Sequence, residues 1–154
     1  MTPQEDLGQR LQRLEDIEAI KNLKARYCLY CDDNFNVDKI VPLFTPDAEW
    51  VATSFGPFKG HDQLRDFWTN ITKRLTFAIH YVSNPIIEVR GDTAHATWYL
   101  LEPGTIEGKQ AIWIMGVYHD DMVKIKGRWL FKRVQLDIHF RTPYDTGWAV
   151  QTTP

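Results

Sequence analysis

The chain has 154 residues, 44% hydrophobic and 25% charged, with a formal net charge of −2. Those values describe one ordinary globular domain and give no reason to expect nucleic acid or an anionic membrane as partner. No run approaches the roughly 18 apolar residues of a spanning helix, and residues 1–25 are too charged for a secretory signal, so a cytoplasmic protein with no membrane partner is expected.

Six Trp, six Tyr and eight Phe suffice to line a cavity as well as fill a core. The first predicted helix runs from about Glu5 to Cys31. Leu7, Leu11, Leu14, Ile17, Ile20, Leu23 and Tyr27 recur at the spacing of one helix face, with charged residues opposite. From Tyr27 to Cys31 apolar and aromatic side chains point all round, so this helix end is expected to be buried on every side. Asp32 and Asp33 follow it directly, which places a carboxylate at the wall or floor of an apolar space. Cys28 and Cys31 form a C-x-x-C, but near a helix C-terminus and without a second Cys pair, so they read as reduced, buried core residues.

After a break at Asp32–Asn36 comes a second helical turn or two over Val37–Phe44, then a turn at Thr45-Pro46-Asp47 and a short strand, Ala48–Thr53. Ser54–Gly60 reads as loop. Asp62 is placed to cap a third helix, Gln63–Arg74, with Leu64, Phe67, Trp68 and Ile71 on its buried face. The remainder reads as strand. Phe77–Val89 leads into a hairpin at Gly91-Asp92, followed by Thr93–Glu102, which Pro103-Gly104 punctuates. Ala111–Lys124 is apolar on both faces early on and reads as a central strand, and Lys126-Gly127 turns it back into Trp129–Phe140. Helices first and an antiparallel meander after them predict an α+β domain, a curved sheet wrapped around helices. The whole of 1–154 reads as one domain, with 1–8 an N-terminal extension and 141–154 a C-terminal tail.

His80 sits in Thr76-Phe77-Ala78-Ile79-His80-Tyr81-Val82, a strand otherwise without charge. A lone His in such a strand is usually a hydrogen-bonded core residue. A buried carboxylate beside it changes that reading, because Asp fixes the imidazole tautomer and stabilises its protonated form, which makes a general base near neutral pH. His61, His95 and His119 lie among polar residues and are expected to be exposed.

Several segments together resemble the SnoaL-like branch of the nuclear transport factor 2-like superfamily. They are Asp16 to Tyr27, Leu43-Phe44-Thr45-Pro46-Asp47-Ala48, Gly60, Ile79-His80-Tyr81-Val82-Ser83-Asn84, Gly91-Asp92-Thr93-Ala94, Gly116-Val117-Tyr118 and Gly127-Arg128-Trp129. Within the branch the look is of scytalone dehydratase, hexachlorocyclohexane dehydrochlorinase and bile acid 7α-dehydratase. The resemblance implies a cystatin-like, cone-shaped α+β barrel with helices against a strongly curved antiparallel or mixed sheet. It also implies a cofactor-free Asp–His dyad that eliminates water or chloride.

Carried over by position, the dyad His falls on His80. Counting forward from Ile20 places the dyad Asp at Asp32, and counting back from Phe44 places it at Asp33. Asp32 is preferred because an inserted residue costs less in the 32–36 loop than inside a helix. Tyr27 matches a tyrosine of the bile acid dehydratase and Tyr30 lies one turn on. Trp50, Trp98 and Trp113 are candidates for the cavity wall, and His139, on the strand with Asp137, for its closure. Strand Thr93–Leu101 carries no carboxylate or Arg, which disfavours mechanisms that use carboxylates on the sheet.

The resulting expectation is a lyase of dehydratase or dehydrohalogenase type, with Asp32, His80 and Tyr27 catalytic. Tyr30, Trp50, Trp98, Trp113 and His139 would bind a small apolar or polycyclic substrate, with no cofactor and no metal. An isomerase or polyketide-type cyclase using the same dyad, and a non-catalytic binding or assembly module, remain as alternatives. Relatives in the branch are trimers, so a homotrimer is expected first and a dimer second.

Overall fold

The first helix is started by a capping box. Asp6 accepts from the Gln9 backbone N–H at 2.8 Å, and the Gln9 side chain accepts from the Asp6 N–H. Such a cap contributes roughly 0.5–2 kcal/mol to a helix. The computed structural model describes residues 6–149. Helix α1 spans Leu7–Asp32, α2 Val37–Ile40 and α3 Gly60–Ile71, with a 3₁₀ turn at Val41–Leu43. The strands are β1 (Phe44–Ala52), β2 (Phe55–Lys59), β3 (Leu75–Ala78), β4 (Tyr81–Arg90), β5 (Thr93–Ile106), β6 (Gln110–Ile125) and β7 (Arg128–Pro143).

They form one sheet in the order β2-β1-β7-β6-β5-β3, with β4 also pairing β5. The β1–β7 pair is parallel and the others are antiparallel, so the sheet is mixed, and it curls around the three helices. Two buried carboxylates tie α1 to the sheet. Asp16 accepts from Lys124 and from the Trp129 indole at 2.8 Å, and Asp120 faces Lys24. Among the described residues no helix is long and apolar enough to cross a membrane.

Several local expectations are corrected. The turn at Thr45-Pro46-Asp47 is absorbed into β1, and part of the expected loop Ser54–Gly60 forms β2, which pairs with β1 through Glu49–Lys59 and Trp50–Phe58. Helix α3 begins at Gly60, so Asp62 lies in its first turn and caps nothing. His61 is half-buried and bonds the Phe44 carbonyl at 2.9 Å rather than facing water. The leucine stripe of α1 is exposed over its first half, with Leu7, Leu11 and Leu14 all more than half accessible. Leu29 is exposed as well, so the helix end is not covered on every side. Strand β6 buries one face only, since Trp113, Met115 and Val117 lie on the outer surface.

The sheet bends where register shifts. One shift falls between Met115 and Gly116 on β6, opposite Ile138–Phe140 on β7. A Cβ on Gly116 would collide with the Asp137 carbonyl oxygen, a backbone atom that cannot rotate away. Gly116→Ala should therefore cost about 1–3 kcal/mol, which a thermal melt reads as a loss of about 2–4 °C per kcal/mol in a domain of this size. An unchanged melting temperature contradicts that close approach.

Candidate active site

The predicted strand Phe77–Val89 is interrupted at Ile79-His80, and that interruption builds the site. Ala78 pairs with Gly104 and Tyr81 with Leu101, so His80 faces Glu102 across the gap. Strand β5 runs straight through Pro103. Its carbonyl accepts from Ile79 N–H at 3.1 Å, so the side of Pro103 that lacks an N–H faces the break between β3 and β4.

The end of α1 meets this break. One oxygen of Asp32 accepts from the His80 backbone N–H at 3.0 Å and lies 2.7 Å from His80 Nδ1. An ionised carboxylate taking the backbone N–H leaves Nδ1 as the ring donor and Nε2 as the free ring nitrogen. Asp33 points away. Its side chain is half-exposed and bonds Lys39 and Asn36. Beyond it Asn34 and Phe35 both take left-handed backbone conformations, with φ of 53° and 49°. That is uncommon for a bulky residue. It lays the Phe35 ring edge-on to the imidazole, 6.0 Å between centroids.

His80 Nε2 is 3.6 Å from Glu102 Oε2, and both side chains are only 5% exposed. Burial acts against the imidazolium, but the charges of Glu102 and Asp32 outweigh it, and the His80 pKa is raised above its ordinary 6.5. Burial pushes the Glu102 carboxyl up. His80 and Arg141 pull it down, and the net direction is upward from 4.5. Imidazole and carboxyl thus compete for protons beside the cavity.

Both groups line a cavity of about 470 Å³, together with Tyr27, Trp50, Phe67 and Tyr118 among others. Ser54, Asn70, Arg74 and Arg141 are its further polar lining. The Tyr27 hydroxyl accepts from the Trp50 indole N–H at 3.0 Å, and four aromatic rings surround it edge-on or near so. Burial raises the phenol far above its ordinary value, so Tyr27 stays a proton-bearing donor.

Of the candidates drawn from sequence, the structure brings together Asp32, His80, Tyr27 and Trp50. It does not bring in the other four. Tyr30 faces a second cleft, beside Arg26 and Lys39. Trp98 is buried in the core without lining the cavity. Trp113 lies on the outer face against Tyr144, and His139 is exposed at the β7 register shift. Cys28 and Cys31 are free and buried, and burial pushes the Cys28 thiol up to about 12, the opposite of a reactive thiolate. Glu102, Tyr118 and Arg141 were missed. Counting down the ladder from the Gly91-Asp92 hairpin lands opposite His80 at residues 102–103, where Glu102 is the carboxylate.

The raised His80 value has a defined sign. Its contribution to stability is complete below the ordinary pKa of 6.5 and is lost as pH rises through the folded-state value. Glu102→Gln removes the larger of the two charges that hold it up. Imidazole NMR should then show His80 titrating at lower pH than in the unaltered protein, and an unmoved titration contradicts the coupling.

Comparison with known proteins identifies the family and the fold. Residues 12–135 match the family described as "SnoaL-like domain". The chain is 28% identical over 138 residues to gamma-hexachlorocyclohexane dehydrochlorinase of Sphingobium indicum, covering 84% of this chain and 88% of that protein. The crystal structure of hexachlorocyclohexane dehydrochlorinase from Novosphingobium barchaimii superposes with a TM-score of 0.80 at 26% identity, covering 94% of this chain and 99% of that one. A nuclear transport factor 2-like protein with a cystatin-like fold from Novosphingobium aromaticivorans, 20% identical, shares the fold with a TM-score of 0.70 over 88% of this chain and 91% of its own. With its helices packed in a curled mixed sheet and its sequence matched over most of its length, the chain belongs to the SnoaL-like domain family.

Proposed function

We propose that this protein is a cofactor-independent lyase that eliminates water or halide from an apolar, ring-containing small molecule. The observation that carries the reading is the 2.7 Å contact between Asp32 and His80 beside an aromatic-lined cavity. Dehydrochlorinases among its relatives support the reaction class.

In this reading Asp32 fixes the imidazole, and Nε2 takes a proton from a carbon next to an activating group. Tyr27 donates a hydrogen bond to the oxyanion that forms. Glu102, whose carboxyl is pushed toward its protonated form, gives its proton to a departing hydroxyl. The C–O bond breaks and water leaves. The imidazolium then returns its proton to Glu102, which restores the starting state. A departing chloride leaves as the anion and needs no proton, and the imidazolium then passes its proton to solvent.

A specific observation also favours isomerisation as a second reading. Residues Thr93–Leu101 carry no carboxylate, but β5 continues through Glu102 to Ile106, so the sheet does present a carboxyl beside His80. A carboxyl beside the base can return the proton to a different carbon, and product analysis separates the two outcomes. Cyclisation would use the same base. An unpartnered His80 or a filled cavity would favour a non-catalytic module, and the Asp32 contact and the open cavity support the catalytic reading instead.

General-base catalysis contributes about 10²–10⁴-fold. His80→Ala should lower turnover of ring-bearing β-hydroxy ketones or polychlorinated cyclohexanes by that order, with the circular dichroism spectrum unchanged. Full activity in the variant contradicts the dyad.

We also propose self-association, as a trimer before a dimer. The outer face of β4–β6 exposes Tyr81, Ile86, Tyr99 and Met115, and large apolar side chains grouped on one face are the kind of surface that marks an association site. Light scattering on the eluting protein should give three times the 18.0 kDa chain mass, and Tyr99→Lys should shift it toward one. A monomeric unaltered protein contradicts this.

A further inference from the structure

One buried ion pair lies behind the cavity wall and takes no part in the proposed proton transfers. Lys24 of α1 and Asp120 of β6 are both fully inaccessible, with Nζ 2.9 Å from Oδ2. Such a pair is weak evidence for stability, because desolvating two charges offsets their attraction and well-packed apolar replacements are often neutral or better. Its position is more informative. Lys24 Nζ lies 3.3 Å from the ring centroid of Tyr118 and 4.9 Å from that of Tyr27. Those two rings meet edge-on, 6.3 Å apart, and both line the cavity that holds His80 and Glu102.

The chain arranges this by two local spacings. Lys24 and Tyr27 are three residues apart on one helix face, and Tyr118 and Asp120 two apart on one strand face. Where α1 crosses β6 the two pairs interlock. The cation cannot reach substrate, since Asp120 and the rings enclose it, but it presses on the face of Tyr118. A desolvated cation against an aromatic face is held there electrostatically and draws electron density from the ring, which makes the phenol O–H a stronger donor.

We infer that the Lys24–Asp120 pair is a positioning device for the cavity tyrosines, and that Tyr118 is a second hydrogen-bond donor to the oxyanion formed in the proposed reaction. The inference rests on that reaction proceeding through such an anion. Tyr27 alone already spends its oxygen on the Trp50 N–H. A second phenol, lining the same cavity as Glu102 and backed by a buried charge, completes a two-donor site of the kind that stabilises enolates. Lys24 therefore acts through Tyr118 and touches no substrate.

The test uses 2-naphthol, whose phenolate is a planar, delocalised oxyanion, with ultraviolet absorption reporting the phenolate fraction of the bound probe at pH 7. The unaltered protein should bind it and enrich the phenolate. Tyr118→Phe and the double variant Lys24→Met/Asp120→Leu should each lower the bound phenolate-to-naphthol ratio about tenfold, the order a desolvated cation–π contact supports. The triple variant should lose little more than either, because both changes act on one phenol. If the double variant does not fold, Lys24→Gln/Asp120→Asn, which removes both charges and keeps polar side chains of similar size, takes its place with the same expected loss. A folded pair variant with an unchanged ratio overturns the positioning role and leaves the proposed reaction standing. No phenolate enrichment in the unaltered protein overturns both.

Discussion

One oxygen of Asp32 organises the site by accepting two hydrogen bonds from a single residue 48 positions away. The bond to the His80 backbone N–H secures the strand break between β3 and β4, and the bond to the ring sets which nitrogen faces Glu102. The first adds to Pro103, whose missing N–H leaves the ladder short of a donor at this point, in holding Ile79-His80 out of the pairing that β3 and β4 share with β5. Without the second, the imidazole could present either nitrogen to the cavity. A structural requirement and a chemical one thus converge on one carboxylate at the end of one helix.

Charge is arranged around that point in layers. Asp32 and Glu102 flank the imidazole and raise its affinity for a proton despite burial, as suits a base. Arg141 acts on Glu102 from the cavity side, and Lys24 with Asp120 lies behind the aromatic wall. Apolar rings line the cavity between these groups, and burial strengthens the electrostatic contacts behind them. The Tyr27–Trp50 bond illustrates what that burial requires. An indole N–H buried in such a wall needs a partner, and losing one typically costs 1–3 kcal/mol.

The legible part of this architecture followed from periodicity and turn chemistry. The length of α1, the buried face of α3 and the Gly91-Asp92 and Lys126-Gly127 hairpins could be read from spacing alone. Asp32, His80, Tyr27 and Trp50 converge because a helix end and two strands meet at one end of the sheet. What was not legible depended on registers between distant strands. Glu102 was the last residue of the expected strand, but its place opposite His80 depends on the register of β3 and β4 on β5 across the gap at Ile79-His80. Trp98, Trp113 and Tyr30 are aromatic residues on plausible elements, and side-chain direction sent them to the core, the outer face and a second cleft. The exposed leucines of α1 have an amphipathic period that the described residues of one chain do not bury.

The central claim is that His80 removes a proton from carbon, and deuterium exchange tests it without requiring a completed elimination. A cyclic ketone held in the cavity in D₂O should gain deuterium at the carbon beside its carbonyl, as mass spectrometry of the recovered ketone would show. The exchange should disappear in His80→Ala and persist in Asp33→Asn. Exchange that survives loss of His80, or its absence from the unaltered protein with every ketone that binds, would contradict the account.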